Sequence, residues 1–181
     1  MKPLNLNRIN YTSPYKVWEY DGGFHFDTDF GVAYTIEFEQ DESIDYVAYW
    51  FGLINRNGKK SPNDSKIQKT IVCIIEEFFR ENPDILLYMC DSLNQQEAMR
   101  ARLFLRWFNN FEGRDAYIIR TAEINDEDKK TEYVALIVPK SHPDIDIILT
   151  FFDQEIRMFK EKHNDTRNRD LLKRSKKKKK K

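Results

Sequence analysis

The sequence is poor in almost everything that marks a specialised chain. It has two cysteines in 181 residues, too few for the disulfide framework of a small secreted domain. Both sit in apolar runs, Cys73 inside Ile71–Ile75 and Cys90 at the end of Ile85–Cys90. That placement predicts buried, reduced thiols in a cytoplasmic protein. No apolar run reaches the 18 residues of a membrane-spanning helix. The first residues, with Asn5, Asn7, Arg8 and Asn10, lack the apolar stretch of a secretory signal. His25, His142 and His163 are far apart and have no ligand spacing, so no metal site is predicted. There is no Gly-x-Ser-x-Gly elbow, no phosphate-binding Gly-x4-Gly-Lys-Ser/Thr loop and no internal repeat.

Net charge is absent too, but its zero hides an asymmetry. Thirty basic residues balance thirty acidic ones. Residues 167–181 hold ten basic and one acidic, a charge of +9. The other 166 residues hold 20 basic and 29 acidic, a charge of −9. The tail, from about residue 164, is low-complexity and predicts disorder, since like charges repel and nothing apolar remains to bury. Its lysines suit weak, non-specific binding of a polyanion. They can equally fold back on the acidic body.

What is present is a core. Aromatic residues make up 14% of the chain, enough for one domain, predicted over residues 14–163 after a flexible lead-in of residues 1–13. Asp21-Gly22-Gly23 is a turn signal between loosely alternating segments, Tyr15–Tyr20 and Phe24–Phe26. Val32, Tyr34, Ile36 and Phe38 alternate with smaller or polar residues, which predicts a half-buried strand. Tyr46–Ile54 reads as a more buried one. An antiparallel meander follows from these segments.

The central stretch reads as helix, strand, helix. Ile67, Ile71, Ile74, Ile75, Phe78 and Phe79 fall on one helical face over Ser65–Glu81, and Ser65 with Gln68 forms a capping-box pattern. Asn82-Pro83 stops that helix. Ile85–Cys90 is continuously apolar, the signature of a strand covered on both faces. Asp91, Ser92 and Asn94 can cap a second helix, about Gln95–Phe111, with Ala101, Phe104, Leu105 and Phe108 on one side. A hairpin, Tyr117–Ile124 with Tyr133–Val138, and a last helix of about Ile145–Lys162 complete an α+β fold.

This order resembles the core of the GNAT acyltransferase superfamily, from about Phe24 to Val138. The segment Asp91-Ser92-Leu93-Asn94, followed by Arg102–Phe108, also resembles a family of small uncharacterised bacterial proteins. The GNAT resemblance implies an N-acyltransferase with acetyl-CoA as its cofactor. In that family the loop after the fourth strand cradles a pyrophosphate with backbone N–H groups beside a helix N-terminus. The equivalent here is Arg56-Asn57-Gly58-Lys59-Lys60, which departs from the Gln/Arg-x-x-Gly-x-Gly/Ala pattern and also reads as a solvated turn. The family's tyrosine acid would follow Leu103, where this chain has Phe104. Asp91 is the nearest candidate catalytic base and equally a helix cap. Arg100, Arg102 and Arg106 are candidates for contacting phosphates or an acidic protein partner, or form an exposed helix face. Two readings result: a GNAT-like domain holding an acyl-CoA or related small anionic ligand, and a non-catalytic module that engages a protein or nucleic acid.

Overall fold

The computed structural model describes residues 1–90, 106, 108–109, 112–125 and 131–160. The predicted sites at Asp91, Arg100 and Arg102, the Phe104 position and the lysine tail lie outside the described residues.

The chain is α+β. Helix α1 (Leu6–Thr12) leads into β1 (Trp18–Tyr20), β2 (Gly23–Asp27), β3 (Ala33–Gln40) and β4 (Ala48–Asn55). Helix α2 (Ser65–Glu81) and β5 (Ile85–Cys90) follow, then a 3-10 turn (Arg114–Ala116), β6 (Tyr117–Asn125) and β7 (Thr131–Pro139). Residues 145–160 are helical. The strands form one seven-stranded sheet in the order β1-β2-β3-β4-β5-β7-β6. Among the described residues only the β4–β5 pair is parallel. It is the pair joined through α2, because a parallel neighbour needs a long crossover.

Local chemistry explains the turns. Asp21 and Gly22 take φ of 50° and 75°, the left-handed pair that a two-residue hairpin needs to match the strand twist. The first face of the sheet carries Phe24, Phe26, Tyr34, Ile36 and Phe51 against Ile67, Ile71, Ile74 and Phe78 of α2. Phe78 stacks on Phe38 at 4.5 Å. Among the described residues the second face has helical cover over one half. There Ile148 and Phe152, from the helix over residues 145–160, pack on Ala48, Ile85, Leu87, Val134, Leu136 and Val138.

Two expectations change. Residues 1–13, expected as a flexible lead-in, contain α1. Asn5 caps it by accepting from the N–H groups of Asn7 and Arg8, and Leu4 and Ile9 enter the core. The cap of α2 is Asp64 rather than Ser65, its carboxylate accepting from Lys66 N at 2.9 Å. An ionised oxygen at a helix N-terminus is the stronger acceptor.

Candidate functional site

Two places gather polar chemistry. The first lies where the parallel strands end. The β4–β5 ladder consists of Ala48↔Ile85, Tyr49↔Leu86 and Trp50↔Leu87. Beyond it β4 stays paired with β3 as far as Asn55, and β5 stays paired with β7 as far as Cys90. The two halves of the sheet therefore part at their carboxyl ends, the place where open sheets with parallel strands bind ligands. Phe51 and Tyr88 fill the base of this wedge with ring centroids 5.7 Å apart.

The loop leaving β4 rims the wedge, and its polar groups are turned on each other. Asn55 Oδ1 accepts from Gly58 N at 2.9 Å, and Asn55 Nδ2 donates to Lys59 O at 2.9 Å. Asn57 Oδ1 accepts from the N–H groups of Lys59 and Ala33, while its Nδ2 donates to Gly31 O at 2.8 Å. Gly58 sits at φ 64°, which a side chain would strain. The Arg56 guanidinium donates to Asp27 Oδ1 at 3.0 Å and lies 5.9 Å over the Trp18 ring. Of the five residues predicted to hold an anion, Arg56, Asn57, Gly58 and Lys59 are thus engaged by the chain itself, and among the described residues no hydrogen bond or ion pair engages Lys60.

The N-terminus of α2 is occupied by the chain's own anions. Asp64 Oδ2 accepts from the Tyr15 hydroxyl at 2.5 Å. Lys66 Nζ pairs with Asp29 Oδ2 at 2.6 Å and lies 5.5 Å over the Tyr15 ring. Burial, reinforced by the hydrogen bond to Asp64, raises the Tyr15 pKa above its ordinary value. The hydrogen bond to Asp29 raises that of Lys66. Sequence reading missed this cluster because Tyr15, Asp29 and Asp64 are brought together only by the sheet.

The second place is a groove of about 400 Å³ between α1 and α2, lined in part by Arg8, Tyr11, Cys73, Glu76, Glu77 and Arg80. Glu77, 3% exposed, accepts from Arg8 Nε at 3.0 Å, from Arg8 Nη2 at 2.7 Å and from Asn5 N at 3.0 Å. Arg8 also pairs with Glu81. Burial raises the pKa of Glu76. Burial likewise raises that of Cys73, which keeps it a thiol rather than a reactive thiolate. Arg106 is helical and exposed.

Among the described residues no cluster of His, Cys, Asp and Glu is arranged to hold a metal ion, and no helix is long and apolar enough to cross a membrane. The model of a family of unknown function (DUF6169) matches residues 63–154, from the cap of α2 into the last helix, which is half of the chain. No curated protein and no solved structure matches. The chain belongs to that family.

Proposed function

We propose that this member of the DUF6169 family is a binding module on a GNAT-like scaffold, without acyl transfer of its own. The strand order and the parting of β4 from β5 support the scaffold. One observation carries the non-catalytic reading. The backbone donors of Gly58 and Lys59 are already taken by Asn55 and Asn57, and Asp64 puts a carboxylate on the helix end where a pyrophosphate would sit. A second anion there is opposed by like charge and finds the Gly58 and Lys59 N–H groups taken. In this reading Arg100, Arg102 and Arg106 contact an acidic partner.

The parting of β4 from β5 keeps a second reading in play, in which Arg56, Asn57, Gly58, Lys59 and Lys60 hold the phosphates of an acyl-CoA and Asp91 serves as base. A thermal-shift titration with acetyl-CoA and longer thioesters separates the two. Tight binding raises the melting temperature by mass action. No rise at millimolar ligand is expected. A rise abolished by Lys59→Glu and Lys60→Glu together would establish the second reading instead.

A further inference from the structure

Among the described residues no helix covers the second face over β1–β3: His25 and Thr35 are buried at its middle, while Tyr20, Glu37, Glu39 and Ile54 of β4 are exposed around them. Trp18↔His25, His25↔Thr35 and Thr35↔Ile54 form a continuous row across these four strands. Glu37 and Glu39 lie on the same face, two and four residues beyond Thr35. Tyr20 is 71% exposed and Ile54 44% exposed. The helix over residues 145–160 reaches this face only as far as Ala48 and Trp50. Glu37 stands opposite Gly52, which has no side chain, and Glu39 stands opposite Trp50. Both carboxylates are exposed, and among the described residues neither has an ion-pair partner.

The face already takes one cation of its own chain. Arg56 lies over Trp18 while paired with Asp27, an aromatic ring and a carboxylate acting on one positive charge. Across the β3–β4 ladder Trp50 stands opposite Glu39, again an aromatic ring beside a carboxylate. The described chain ends at residue 160, and the +9 segment begins seven residues later. Seven extended residues span roughly 23–25 Å. A domain of this size has a radius of gyration of about 15 Å, so the segment reaches the face without strain. Covalent attachment holds it there at an effective concentration in the millimolar range.

We propose that residues 167–181 dock on the open face of β1–β4, with lysines of Lys176–Lys181 at Glu37 and Glu39. This goes beyond the binding-module reading and does not depend on it. The docked tail is a self-shield: a polyanion must displace it before binding it.

The test is an amide NMR comparison of the full chain with two full-length variants. One carries glutamine at each position from Lys176 to Lys181; the other is Glu37→Gln with Glu39→Gln. Both sets of changes are on exposed or terminal residues, so the fold is kept. Docking predicts shift differences at Trp18–Tyr20 and Thr35–Glu39 for the lysine variant. Raising salt from about 0.1 M to 1 M, where the screening length falls from about 10 Å to about 3 Å, should reproduce them. It also predicts that the Glu37→Gln, Glu39→Gln protein binds a random duplex more tightly than the parent, because its tail is free. Shift differences confined to other surfaces overturn the proposal, as does unchanged duplex binding. Differences that grow with protein concentration overturn it in favour of a second copy's tail.

Discussion

The two halves of the sheet solve the same problem differently. In the half built from β1–β4 one face packs on α1 and α2; on the other His25, Thr35 and Ala48 are buried, but Tyr20, Glu37, Glu39 and Ile54 are exposed. In the half built from β5, β7 and β6, the central strands are covered on both faces. Ile85, Leu86, Leu87 and Tyr88 are buried in succession, as are Val134 through Val138. In β3, by contrast, Tyr34 and Ile36 of the first face are buried, and on the second face Thr35 is buried while Glu37 and Glu39 are exposed. A continuous apolar run is what two-sided cover demands, and alternation is what one-sided cover demands.

That contrast can be broken or sharpened by substitution. The largest effect is expected at Phe78, which is fully buried and touches Phe38, Tyr49 and Phe79. Phe78→Ala should cost about 3–5 kcal/mol, read as a fall in the midpoint of urea unfolding. Leu136→Ala, on the second face under the last helix, should cost about 2–5 kcal/mol. A loss below about 1 kcal/mol there would mean that this half is not covered on its second face.

Glu77→Gln keeps the shape but removes the charge that Arg8 and Asn5 N share. Arg8 is partly exposed and can turn to water, so the loss should be about 1–3 kcal/mol, measured by the same unfolding. At alkaline pH several groups push in one direction. Burial raises the pKa of Tyr15, Tyr49 and Tyr117 above 10.0, and Asp29 raises that of Lys66 above 10.5. A raised folded value means stability that is complete below the unfolded value and lost as pH climbs through the folded one. With the buried Cys73 thiol, raised from 9.0, acting in the same direction, the melting temperature should begin to fall above about pH 9 and fall faster above about pH 10, and Lys66→Met should remove part of the fall. Least affected should be Ile54→Ala, on the open face of the first half. Its cost should stay within about 0.5 kcal/mol, and a larger value in the unfolding midpoint would show that something covers this face.

The same contrast explains what the sequence made legible. The alternation of Val32–Phe38 and the run Ile85–Cys90 announce their strands because cover is written into spacing. Helix α2 is legible from its face, although its cap is Asp64, one residue earlier than the capping-box pattern suggested. Helix α1 escaped because its stretch is rich in polar residues and the side chains that hold it lie far along the chain. Its faint signal was Asn5 as a cap before Leu6 and Ile9. The loop at Arg56–Lys60 reads correctly as polar and turning. That its donors face inward was not legible, since Asn57 reaches Gly31 and Ala33 across a separate turn.

The clamp on α1 has a kinetic side. Arg8 and its acceptor Glu77 are 69 residues apart, and Lys2 N donates to Asn82 Oδ1, 80 residues on. During synthesis at about 5–20 residues per second, roughly 3–14 s separate the emergence of Arg8 from that of Glu77. Residues 2–12 therefore cannot make these contacts until α2 has been synthesised, after the whole of β1–β4. Helix α1 is thus a late latch, set only once Glu77 and Asn82 exist.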